Sequence, residues 1–244
     1  MPCGNIINKY GYIVPRLISL IIPAYNEESR IGASLQSAFD FFADKNYEVE
    51  ILVVDDGSKD NTIEVVSRFP RTRLLAQPQN MGKGAAVRRG MLEASGEIRV
   101  FTDADFSTPI HEIDKLISTI DSGFDICIGS RAVDRSLVKE HQPFYREYMG
   151  RTFNYIVQLL VIRGIKDTQC GFKGFTKKAA DIVFREAKID GFSFDVEALY
   201  IAKINNLKIA EVPVEWYNDD RSTVHPIRDS IKMFYEILRI RSMH

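Results

Sequence analysis

Through its first half this chain alternates short apolar runs, each closed by a polar cluster, with amphipathic helical segments. The runs are 17–22, 49–54, 73–76, 98–102 and 126–129. Runs this short and this uniformly apolar read as strands of a parallel sheet covered on both faces. Between the first two, Ile31, Leu35, Ala38, Phe39 and Phe42 recur at helical spacing. Asp60 can cap a helix over 60–68, Gly82-Lys83-Gly84 opens another that Gly96 stops, and Thr108-Pro109 starts a third. The alternation predicts an α/β fold: a Rossmann-like, open, mostly parallel sheet with helices on both faces.

The second half is less regular. A long aromatic-rich helix is expected over 144–162, helices over 177–186, 194–205 and 227–240, a strand over 209–214, and loops over 167–173 and 217–226. With 244 residues and no linker-like stretch, the expectation is an irregular arm over 1–16 and a single domain over 17–241. A net charge of −1 gives no basic bias toward nucleic acid. Cys3, Cys127 and Cys170 show neither metal spacing nor a disulfide framework, which suits a reducing compartment. Gly4, Asn5, Asn8, Lys9 and Gly11 break up any signal-like stretch, and no apolar run reaches spanning length.

In an open parallel sheet, ligands bind beyond the carboxyl ends of the strands. Tyr25, Asn26 and Glu27 follow the first run, Asp55 and Asp56 the second, Asp103 and Asp105 the fourth, and Arg131 the fifth. Carboxylates one residue apart at a strand mouth repel each other, and a divalent cation, Mg²⁺ or Mn²⁺, offsets that most simply. The expected ligand is a nucleotide diphosphate with its metal. Asp105 is the stronger metal ligand, and Asp103 can serve the metal or the ribose. Asp55 can accept from a base N–H or from ribose hydroxyls, and Lys83 can reach base, ribose or phosphate. Blander roles stand beside these: Asp105 as a helix cap, Lys83 as a solvated lysine, and Asp56 as the cap of the Gly57-Ser58 turn. Walker and Gly-x-Gly-x-x-Gly motifs and a Gly-x-Ser-x-Gly elbow are absent, which removes the usual signatures of ATPases, NAD enzymes and serine hydrolases.

Pro23-Ala24-Tyr25-Asn26-Glu27, Val53-Val54-Asp55-Asp56-Gly57-Ser58, Asn80-Met81-Gly82-Lys83-Gly84 and Asp103-Ala104-Asp105 resemble the motifs of the large inverting family of GT-A glycosyltransferases. Gly129-Ser130-Arg131 and the 167–173 segment resemble the polyprenyl-phosphate sugar synthases. Phe194-Asp195-Val196-Glu197 with Glu211-Val212-Pro213-Val214-Glu215-Trp216 is most similar to the dolichyl-phosphate glucose synthases. The resemblance implies a metal-dependent hexosyltransferase moving glucose from UDP-glucose to a polyprenyl (dolichyl-type) phosphate. The alternatives are a GDP-mannose donor, or a hydroxyl acceptor with Asp167 as base. It implies a nucleotide-sugar half over 17–131, with Pro23, Tyr25, Glu27, Asp55, Lys83 and Asp103 on the donor. It also implies an acceptor half over 132–241. Asp105 and Arg131 carry the catalysis, with Asp103 and Asp105 on the metal.

A phosphate acceptor is already ionised near neutral pH and needs cations rather than a base. Arg131, with Arg146 or Arg151, can supply a fork for it, and Gln169 can touch phosphate or sugar. Asp167 is expected to orient an arginine or cap its own turn. Asp195 and Glu197 suit either a helix N-terminus or sugar hydroxyls, and Trp216 suits core packing. A lipid acceptor requires a path to the bilayer. Dolichyl-phosphate glucose synthases of the familiar type carry an N-terminal hydrophobic anchor, and no such segment is read here. Helix 144–162 and the basic, half-apolar last helix are the candidates for peripheral contact with the cytoplasmic face of a membrane.

Overall fold

The computed structural model describes residues 5–7, 13–45, 47–140, 144–219 and 226–244, with side chains described for 16–45, 47–140, 147–219 and 232–244. Its main sheet has seven strands. Three parallel strands, β3 (Leu17–Ala24), β4 (Glu48–Asp55) and β5 (Thr72–Ala76), run outward from β6 (Ile98–Thr102). On the other side of β6 lie β8 (Phe172–Thr176), β7 (Ile126–Ser130) and β9 (Ile209–Pro213), giving the order β5-β4-β3-β6-β8-β7-β9.

Successive strand residues alternate between two cores. Leu20, Ile22, Ile51, Val53 and Val100 face α1 (Ile31–Ala43), α2 (Thr62–Ser67) and α4 (Ile113–Asp121). Ile21, Leu52, Val54 and Phe101 face α3 (Lys83–Glu93), α5 (Phe144–Leu160), α6 (Lys177–Glu186), α7 (Phe194–Ile204) and α8 (Pro226–Met243). Burial on both sides explains why the runs carry no polar alternation. The expected α/β architecture is the one observed.

Two segments differ from the sequence reading. The expected irregular arm contains an antiparallel ribbon, β1 (Asn5–Ile7) paired with β2 (Ile13–Pro15). The expected loop over 167–173 runs into β8, which lies antiparallel to both β6 and β7. Lys173 and Gly174 interrupt its apolar character and hide it from a search for apolar runs. Because β8 runs backwards, its first residue pairs with Thr102, the last of β6. The 167–171 segment therefore enters between the carboxyl ends of β6 and β7, where Asp103, Asp105 and Arg131 follow their strands.

Candidate active site

The loops after β3 and β4 are laced together. Asn26, in the left-handed region at φ 56°, accepts from Lys59 N at 2.8 Å, and its own N–H donates to Ser58 Oγ at 2.9 Å. Glu28 accepts from Asn61 N, and Glu27 N–H donates to Thr62 Oγ1. Beside this lacing lies a cavity of about 470 Å³ lined by Tyr25, Asp55, Ser58, Lys59, Gln77 and Asn80 among others. Asp55 is fully buried. Its Oδ2 accepts from Gly57 N at 3.1 Å and Ser58 N at 3.0 Å, while Oδ1 has no partner. A buried acceptor without a donor costs about 1–3 kcal/mol, and a ligand N–H or hydroxyl would satisfy it. The turn cap expected of Asp56 thus belongs to Asp55. Asp56 instead accepts from Gln77 Nε2, Met81 N and Gly82 N, tying down the approach to Lys83.

At the end of β6 the chain turns sharply. Phe106 N donates to Asp103 O, and Phe106 holds φ 49°, a strained value for a bulky residue. Asp103 Oδ1 receives Lys83 Nζ at 2.5 Å, so Lys83 is not a solvated lysine. Burial works against its ammonium, but Asp103 and Asp195 outweigh that and hold its pKa above the ordinary value. Asp105 Oδ1 accepts from Ser107 N at 2.9 Å, and Oδ2 lies 3.9 Å from Arg30 Nη1. Burial and the neighbouring Asp103 push the Asp105 carboxyl upward. This is negative charge short of compensation. Gly171 faces the pair, and a Cβ there would run into the Asp103 carboxylate. Two hard oxygen donors one residue apart, with Asp105 short of positive compensation, have the chemistry that suits Mg²⁺ or Mn²⁺.

A second cavity, of about 410 Å³, opens where β7 ends and includes Arg131, Arg135, Arg151, Lys166, Gln169 and Trp216 in its lining. Asp167 is buried and bidentate to Arg131: Nε donates to Oδ2 at 2.7 Å and Nη2 to Oδ1 at 2.9 Å, with Arg131 N adding a third bond at 3.0 Å. Burial would raise the Asp167 carboxyl, yet Arg131 prevails and lowers it to about 2. Glu211 on β9 holds this acid in place by accepting from Lys166 N and Asp167 N. The Arg131 guanidinium also lies 5.4 Å from the centre of the Trp216 ring, so Trp216 lines the cavity rather than the core. Arg151 and Arg135 meet Glu147 at 3.1 and 3.2 Å. The side chain of Arg146 lies outside the described residues.

Lys83, Asp103 and Asp105 line neither of these cavities, and other candidates also sit apart from them. Pro23 is buried within β3, opposite Val54, and lines neither cavity. Glu27 is clamped by Arg30 through two bonds of 2.6 and 2.7 Å. Asp195 pairs with the fully buried Lys173, and Glu197 accepts from Lys188 N and Ile189 N, so both are engaged by protein donors rather than open to a sugar. Sequence reasoning missed Arg30, Arg135 and Lys166, and quoted Glu211 in a family motif without a role. Only Arg30 had a local signal, three residues after Glu27 on the approach to a helix.

The profile of glycosyl transferase family 2 matches residues 19–184. A dolichyl-phosphate beta-glucosyltransferase of Dictyostelium discoideum is 40% identical over 92% of this chain and 73% of that protein. The human protein of that name is 32% identical, with 92% and 74% covered. Among solved structures, glucosyl-3-phosphoglycerate synthase from Mycobacterium tuberculosis, in complex with Mn²⁺, UDP and glucosyl-3-phosphoglycerate, shares the fold. Its TM-score is 0.70 at 18% identity, over 92% of this chain and 80% of that one. The strand-end carboxylates, the Lys83–Asp103 pair and the 19–184 match converge: the chain belongs to glycosyl transferase family 2 and is a glycosyltransferase.

Proposed function

We propose that this glycosyltransferase moves glucose, with inversion, from UDP-glucose to a polyprenyl phosphate of the dolichyl type. The bidentate hold of Asp167 on Arg131 carries the reading. A hydroxyl acceptor needs a base, and Asp167, with both oxygens engaged and its carboxyl lowered to about 2, is a poor one. A phosphate acceptor needs a preset cation instead. Arg131, whose Nε and Nη2 take Asp167, lines that cavity together with Arg151, Arg135 and Lys166. The relatives' name, dolichyl-phosphate beta-glucosyltransferase, supports the same acceptor and sugar.

On the donor side, Asp55 Oδ1 accepts an N–H from the base, and Tyr25 and Gln77 border the same cavity. Asp103 and Asp105 would hold the divalent cation, which when bound neutralises charge on the leaving diphosphate. Lys83 keeps Asp103 oriented and adds positive charge beside the departing group. An acceptor phosphate oxygen forms the new bond to the anomeric carbon as the bond from that carbon to the UDP oxygen breaks. UDP leaves with the electron pair, and no proton has to be removed.

The donor assignment is tested by offering the purified protein UDP-glucose or GDP-mannose, with Mn²⁺ and a polyprenyl phosphate. Transfer of glucose is expected. Transfer of mannose alone would overturn the donor reading.

A further inference from the structure

The donor lysine is held from behind by a relay that runs through the 187–191 turn to a buried carboxylate. Gly84 N, the second residue of α3, donates to Asp190 O at 2.7 Å, and Ala85 N follows at 3.3 Å, so that carbonyl satisfies N–H groups a helix start leaves open. The fit is close. A Cβ on Gly82 would strike Asp190 O, and one on Gly84 would meet Ile189 O at 2.5 Å and Phe194 Cβ at 2.7 Å. The Gly82-Lys83-Gly84 turn therefore has little room to move independently of the 187–191 segment.

That segment is fixed by Glu197 on α7, which is fully buried. Its Oε1 accepts from Lys188 N at 3.0 Å and its Oε2 from Ile189 N at 2.8 Å. His244, just past the end of α8, places Nε2 2.8 Å from Oε1, and Lys188 Nζ donates to Met243 O at 2.6 Å. Arg88 on α3 holds the same turn through Asp190 Oδ1 at 2.6 Å. A carboxylate is suited to this place because each of its oxygens takes a backbone N–H. A glutamine offers one accepting oxygen and would turn an NH₂ toward the other donor.

We propose that Glu197 is a positioning residue for the transfer reaction: with His244, it sets the 187–191 turn that fixes Lys83 against Asp103. The inference rests on Lys83 serving the donor, as proposed above. It also connects α8 to the donor site, so the seating of that helix bears on the geometry of Lys83.

A double-mutant cycle on the full chain tests it, with Glu197→Gln, Lys83→Ala and the pair, reading kcat/KM for the sugar nucleotide and Kd for UDP with Mn²⁺. Glu197→Gln is expected to lower kcat/KM about tenfold, within the range of coupling between contacting groups. In the Lys83→Ala background it is expected to cost less than twofold, because the residue it acts through is gone. Equal losses in both backgrounds would reduce Glu197 to a general stabiliser and overturn the inference. If Glu197→Gln does not fold, Arg88→Ala loosens the same turn from its exposed side, and the same cycle is read with a smaller loss. Failure of the wild type to bind UDP would instead defeat the donor reading.

Discussion

Both oxygens of Asp167 face Arg131, and this pairing separates two enzymes that share their other motifs. Asp167→Asn would leave the guanidinium beside an amide that accepts on one oxygen only. Arg131 keeps 30% of its side chain exposed, so the loss should lie below that of a fully buried pair, at about 2 kcal/mol. The acid dependence follows from the lowered carboxyl. Asp167 contributes its full stability above its ordinary value near 3.8 and loses it as pH falls toward about 2. Unfolding free energies of wild type and Asp167→Asn should therefore converge between roughly pH 4 and pH 2. A gap unchanged down to pH 2 would contradict the pairing. Residue types were legible here, but partners were not. Asp167 is 36 positions from Arg131, and nothing local to either shows that they meet. Asp55 and Asp56 are adjacent acids in one turn, and only the fold decides which holds that turn and which holds the 81–82 backbone.

At the scale of elements, the parallel strands were legible because burial on both faces leaves nothing but apolar residues in them. β8 was not, because its second residue is Lys173, whose ammonium is buried against Asp195 and Cys170 O. A charge in a strand is readable only once its partner on another element is known. Helix α5 was legible as an amphipathic element, and its exposed side is now defined. Tyr148, Tyr155 and Leu159, at 65, 69 and 60% exposure, recur at steps of seven and four along one stripe. On α8, Met233, Ile237 and Ile240 pack inward, while Phe234, Tyr235 and Leu238 stay open beside the exposed Lys232, Arg239 and Arg241. The last helix thus packs on the core along one side and is open along the other. The side chains of Ile227, Arg228 and Ile231, and the whole of Arg221, lie outside the described residues. Among the described residues no helix is long and apolar enough to cross a membrane. We propose that these two exposed stripes rest on an anionic lipid surface. The protein should float with anionic liposomes at low salt and be released as ionic strength rises. Failure to float under the low-salt condition would contradict this placement.

At the scale of the whole molecule, the sheet order brings distant sequence together at one edge. β8, inserted between β6 and β7, carries the 167–171 segment from the acceptor-side cavity to the Asp103 carboxylate. Asp103 N donates to Gly171 O at 3.2 Å, so the proposed metal edge and the proposed acceptor edge share a backbone contact. The donor side was legible in order along the chain because it follows the parallel strands. The acceptor side was only partly legible, since Arg135, Lys166 and Glu211 come from three separated stretches of the chain, and nothing local to them shows that they meet. The decisive assay offers UDP-glucose and Mn²⁺ with a polyprenyl phosphate in one vessel and the matching unphosphorylated alcohol in another. The bidentate Asp167–Arg131 pair leads us to expect glucosyl transfer to the phosphate and none to the alcohol. Transfer to the alcohol alone would contradict the account and return Asp167 to the role of base.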